Sequence, residues 1–239
     1  ALVVIAQNQG FDAIWGRNIG PIGLLGNYGW TGCLLAIFVP IAPWWLVIIL
    51  LSAVLSTHSV AAILGAFLGL LWRTKGLYRF VGFAVCLVAF NYGIASRTNV
   101  IDNLVTRIDV WSMALTHWSG IPDTFHWRDA FLGHGLSSWV NQIAPLQKLW
   151  SIGLMENGFI QEFYWAHNEF IQVLKETGII GASLLCGWFY YWRSAFSRPE
   201  GGVLVAIMVI SFWWFPFHIA NVGFPAALMI GLVTRREIA

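Results

Sequence analysis

The chain has 239 residues, 58% hydrophobic and only 10% charged, with a formal net charge of +2 and a mean hydropathy of +0.70. Soluble domains carry about 25% charged residues, so this composition excludes an ordinary soluble domain and points to an integral membrane protein. The small net charge says little about partners, and nucleic acid is not expected among them. Fifteen Trp agree with a chain that meets the membrane–water boundary, where Trp concentrates.

The chain opens inside an apolar run, Ala1-Leu2-Val3-Val4-Ile5-Ala6, without Met. That run reads as the last turns of a span in a longer protein. Arg17 follows on the outer side, where it adds positive potential. Gly20, Gly23, Gly26, Gly29 and Gly32 then recur at every third residue. Small residues permit close helix contact in a membrane. A partly unwound glycine run also aims backbone N–H groups at an anion. Five triplets are far too few for collagen.

Apolar segments at about 23–42, 44–57, 58–72, 78–95, 178–196, 203–218 and 219–234 are expected spans, since a bilayer takes roughly 20 apolar residues. His58 begins the third, either facing a cavity or lying at the outer interface. Arg73, Lys75 and Arg79 fall in one short loop, Arg193 and Arg198 in another, and Arg235 and Arg236 near the end. By the positive-inside rule these places, and the C-terminus, are cytoplasmic. Residues 96–177 are then an outside loop, periplasmic in a Gram-negative cell. The loop holds eight acidic residues, from Asp102 to Glu176. Loops on a rigid scaffold commonly carry function. Arg97 lies just outside the span that precedes it.

Within the loop, Leu104, Ile108, Trp111, Leu115 and Trp118 form one apolar helical stripe. Such a helix can lie in the bilayer interface. Arg107 flanks the stripe, as a phosphate clamp or as an arginine snorkelling to water. Leu132-Gly133-His134-Gly135 reads as a binding loop or as a turn with an exposed His. His167-Asn168 follows, then Gly178 and Gly181. A His titrates at about pH 6.5 and suits general-base work. On one helix His167 and Gly178 share a face, and the missing side chain at Gly178 leaves room for a substrate. The alternative is an interfacial His at a helix start, with Asn168 and Glu169 near the N-terminus.

Cys33, Cys86 and Cys186 lie in apolar runs and form neither a disulfide framework nor a Cys-x-x-Cys metal pattern. They read as small packed hydrophobes.

Four blocks in this order resemble the O-antigen ligase and O-antigen polymerase superfamily: Gly23-Leu24-Leu25-Gly26-Asn27; Arg107-Ile108-Asp109-Val110-Trp111; Leu132-Gly133-His134-Gly135; and His167-Asn168 with Gly178 and Gly181. The resemblance covers nearly the whole chain, as the C-terminal part of a longer domain of that type. It implies an all-α fold, a polytopic transmembrane helix bundle over 1–239 with a large periplasmic loop containing amphipathic helices, in the bacterial inner membrane. It implies inverting transfer of a glycan from undecaprenyl pyrophosphate to a glycolipid or protein acceptor, without metal or other cofactor. Catalytic roles then fall to His167 and Arg107. Substrate binding falls to Arg97, Arg17, His134, Asn168, Gly178, Gly181 and His58. Other membrane proteins are expected partners. Two departures stand out. Thr57-His58-Ser59 replaces a Ser-Arg step, and Asn27 is followed by Tyr28 and Gly29 rather than by a second Asn. A non-catalytic subunit retaining the scaffold is the alternative.

Overall fold

The computed structural model describes residues 1–8, 27–74, 100–116, 126–149, 154–156, 159–161, 166–214 and 216–234. These residues are helical apart from turns and one small hairpin. The helices are α1 (Leu2–Asn8), α2 (Tyr28–Phe38), α3 (Trp44–Ser56), α4 (Val60–Arg73), α5 (Val100–Thr116), α6 (Trp127–Leu132), α7 (Ser138–Leu149), α8 (Glu169–Tyr191), α9 (Gly202–Trp213) and α10 (Ala220–Thr234). Strands β1 (Leu154–Glu156) and β2 (Phe159–Gln161) pair antiparallel, Met155 opposite Ile160. The chain divides into two compact units, 1–98 with 192–211 and 216–239, and 99–191 with 212–215.

In the first unit, Asn27 starts α2 by accepting from the N–H groups of Gly29 (2.8 Å) and Trp30 (3.2 Å). This satisfies donors that a helix start otherwise leaves unpaired. The helix tightens into a 3-10 turn at Val39–Ile41, which carries Pro40. Pro43 then caps α3. Arg73 closes α4, donates to the Pro40 (3.3 Å) and Ala42 (2.5 Å) carbonyls and lies 4.7 Å from the centre of the Trp44 ring. Trp72 Nε1 donates to the Phe196 carbonyl at 2.6 Å. The Arg73 turn and the 193–197 turn, both expected on the cytoplasmic side, are thus tied together.

Small residues set the packing of this unit. A Cβ on Gly69 would meet the Gly202 carbonyl at 2.6 Å, and one on Gly65 the Ile210 side chain at 2.8 Å. So α4 and α9 touch backbone to backbone, as membrane helices with small interfacial residues do. Gly32 is closed in by Thr57 at 2.6 Å and Ala62 at 3.0 Å. Its place in the glycine run is therefore a packing place. Gly20, Gly23 and Gly26 lie outside the described residues, as do Arg17, Arg97 and the segment 78–95.

Within the described residues the expected spans correspond to helices, but shorter ones. Helices α3, α4, α9 and α10 have 13, 14, 12 and 15 residues. At 1.5 Å per residue they reach roughly 18–23 Å against a hydrocarbon core of about 30 Å. The segment 203–218 ends as a helix at Trp213. Among the described residues one helix, Glu169–Tyr191, has the length and apolarity of a membrane span. It starts nine residues before the expected 178–196 segment and ends before it, with a separate 3-10 turn at Arg193–Ser197. It is also broken, because Gly178 has φ 65° and ψ −165°. The Phe170 and Phe189 ring centres lie 6.0 Å apart. On a straight helix, 19 residues at 1.5 Å would separate them by about 28 Å. The two halves of α8 therefore bend sharply back at Gly178.

Candidate functional site

The second unit is built on a core of Val110, Met113 and Ala114 from α5, Trp139 and Ile143 from α7, and Ala166. Val110, Met113 and Ala114 are spaced i, i+3, i+4, one helical face. The predicted stripe of α5 is a neighbouring face, and it stays largely uncovered. Ile108 and Leu115 are 50% and 44% exposed. With Trp111, Ser112, Thr116 and Ile171 they line an open, mostly apolar groove of about 480 Å³. Trp118 lies outside the described residues.

Arg107 and His167, distant in sequence, converge. Arg107 Nη1 donates to the Trp213 carbonyl at 3.1 Å. The His167 ring packs edge-on against Trp214, centres 5.8 Å apart at 74°. Two consecutive residues thus anchor the two side chains. Burial pushes the His167 imidazole down from 6.5 to about 3, and the Arg107 charge adds to that effect. His167 is therefore neutral at any physiological pH. Neither residue lines the groove, but Trp111 belongs to both places. Its ring stands 6.1 Å from Phe212 and 6.3 Å from Trp213, and its indole N–H donates to the Ala166 carbonyl.

The His167 backbone has φ 51°, a left-handed conformation that costs a non-glycine residue roughly 1–2 kcal/mol. Its neighbours hold it there. The Ala166 N–H donates to Gln172 Oε1 at 2.9 Å. Asn168 Oδ1 accepts from the Ile171 N–H at 3.1 Å. Asn168 is thus the N-cap of α8, and it is buried.

The glycines have structural partners. The break at Gly178 deprives the Lys175 and Glu176 carbonyls of their ordinary helical donors, four residues on. The loop after α6 replaces them, His134 N–H donating to Lys175 (3.2 Å) and Gly135 N–H to Glu176 (2.9 Å). A Cβ on Gly178 would collide with the Phe131 carbonyl and lie 2.6 Å from Gly133 N. The space expected beside Gly178 for a substrate is filled by this backbone. At Gly181 the Thr177 side chain occupies the place a Cβ would take, with its hydroxyl donating to the Val173 carbonyl at 2.6 Å. The His134 side chain turns to Asp129, Nδ1 to Oδ2 at 3.9 Å. His58, with φ 51°, lies in the first unit, in the turn between α3 and α4.

Sequence reasoning missed a buried polar row. Asn168, Gln172, Lys175 and Glu176 are each at most 2% exposed, and Gln172 Nε2 donates to Glu176 Oε1 at 3.0 Å. Its signal was present as polar residues spaced i, i+4, i+8 on one helix face. The Trp213–Trp214 anchor had no such signal, being part of an apolar run.

No protein-family model, curated protein or solved structure matches this chain.

Proposed function

We propose that the chain is a membrane glycosyltransferase of the O-antigen ligase type. It is a polytopic helix bundle of the bacterial inner membrane with residues 96–177 on the periplasmic side. It moves a glycan from undecaprenyl pyrophosphate to a hydroxyl of a glycolipid or protein acceptor. The observation that carries this reading is the anchoring of Arg107 and His167 on consecutive residues, Trp213 and Trp214. The tie between the two basic turns, through Trp72 and Phe196, supports the sidedness.

In the reaction the acceptor oxygen attacks the anomeric carbon. The bond from that carbon to the pyrophosphate oxygen breaks, and its electron pair leaves with undecaprenyl pyrophosphate. The acceptor proton passes to His167. Arg107 offsets the negative charge on the leaving group, an electrostatic role in a partly desolvated place. A neutral imidazole is the form able to accept a proton. Its low affinity for that proton has two causes, burial and the Arg107 charge. A bound pyrophosphate neutralises the second and raises the basicity of His167 when the donor is in place.

A non-catalytic subunit is the second reading, favoured by the filled spaces at Gly178 and Gly181. Glycan transfer in membranes with a lipid-linked donor separates the two. The intact chain is expected to transfer, and His167→Ala and Arg107→Ala to lose about 100-fold or more, as for removal of an acid–base or electrostatic group. Transfer unaffected by His167→Ala removes its role as base. No transfer by the folded intact chain across several acceptors favours the subunit.

A further inference from the structure

His167 sits in a left-handed turn, and the two successive peptide groups on either side of Ala166, the residue before it, are each tied down. The Ala166 carbonyl accepts from Trp111 Nε1. The Ala166 N–H donates to Gln172 Oε1. On the far side, Asn168 is fixed as the cap of α8. With both neighbours fixed, the Cα–Cβ direction of His167 is fixed too.

The Gln172 amide can hold Ala166 in one orientation only. Its oxygen must face the Ala166 N–H, because its NH₂ would oppose donor to donor. Glu176 decides that orientation, since its Oε1 accepts from Gln172 Nε2 at 3.0 Å. Gln172 and Glu176 are buried, and an amide turned the wrong way in a dry site leaves groups unsatisfied. A chain of hydrogen bonds thus runs from Glu176 through Gln172 to the N–H of Ala166, the residue before the one that carries the imidazole.

We infer that Gln172, oriented by Glu176, is a positioning residue that, by holding Ala166, keeps His167 against Trp214 and beside Arg107, with Trp111 holding the next peptide through the Ala166 carbonyl. This deepens the proposed function and rests on it for the reaction, but the positioning is measurable without any transfer. Gln172 and Glu176 act through the backbone of Ala166, the residue before His167.

The test uses the full chain in lipid nanodiscs, with ¹⁵N-labelled His. Among the six His signals, that of His167 is assigned by difference with His167→Asn. In the intact chain the imidazole is expected to stay neutral down to about pH 5, well below the ordinary midpoint. Gln172→Met keeps the volume and removes both hydrogen bonds. It is expected to release the ring to water and raise its midpoint by more than about one unit, toward the ordinary value near 6.5. Glu176→Gln retains an oxygen acceptor for Gln172 and is expected to restore the intact behaviour, whereas Glu176→Leu behaves as Gln172→Met. In transfer assays, Gln172→Met lowers kcat more than it changes KM. Should Gln172→Met fail to fold, Trp111→Phe removes the opposite clamp at a half-buried position and is expected to shift the same signal. An unchanged His167 titration in a folded Gln172→Met or Trp111→Phe protein overturns the inference. Loss of transfer in His167→Ala, with that titration unchanged, leaves the proposed function standing and removes only the positioning role.

Discussion

Gly133 and Gly178 meet backbone to backbone. A Cβ on Gly178 would come within 2.6 Å of Gly133 N, and one on Gly133 would collide with the Glu176 carbonyl and Thr177 N. Both residues have positive φ, 70° and 65°. One contact therefore stops α6, breaks α8 and hands two carbonyls of α8 to the His134 and Gly135 amides.

Gly135 is the internal control for this clasp. Its φ is 94°, but a Cβ there would meet nothing within 4 Å. Gly135→Ala is expected to cost only the conformational strain, about 1–2 kcal/mol. Gly178→Ala and Gly133→Ala add overlap with backbone that cannot move aside, a further ~1–3 kcal/mol. Denaturant unfolding of the three variants in the same detergent checks the order. Equal losses at all three would mean that the contact contributes nothing beyond strain.

Arg107 acts on His167 through its charge. Arg107→Gln removes the second cause of the imidazole's depressed pKa and leaves burial, the larger one. The His167 midpoint is therefore expected to rise yet stay below about 6.5, its unperturbed value. Arg107→Lys keeps the charge but not the planar fork, so it is expected to leave the midpoint low while weakening transfer. NMR titration of both variants reads this directly. A midpoint unmoved by Arg107→Gln would mean that the guanidinium does not act on the ring.

Protonation links His167 to stability. Its folded pKa, about 3, lies below the unfolded value of 6.5. Between these values the unfolded chain binds the extra proton, so stability rises with pH there. Above about pH 6.5 both states are neutral at this group and its contribution is level. As pH falls from about 6.5 toward 3, stability is lost. His167→Asn is expected to flatten that part of the stability–pH curve. Identical slopes for the two proteins between about pH 6 and 4 would place the acid sensitivity elsewhere.

Apolar runs marked segments at 44–57, 58–72 and 219–234, but their shortness left one tight hairpin or two tilted helices open for the first two, and the separation around Pro216, Phe217 and His218 was weakly marked. The α5 helix was legible from its apolar stripe, and Asn168 as a helix start from capping chemistry. The role of Gly178 was not legible. A glycine in sequence signals freedom of φ or close approach, but not which chain approaches.

The sequence by itself determined the helical class, the apolar segments and the chemical character of Arg107 and His167, since these follow from local periodicity and side-chain type. Tertiary structure alone decided that Arg107 and His167 share the Trp213–Trp214 anchor and that α8 bends back to bring Phe170 to Phe189. The physical reason is that each is a contact across tens of residues or around a break. It is fixed by which backbone groups must find partners once the core has closed, and local pattern carries no record of that.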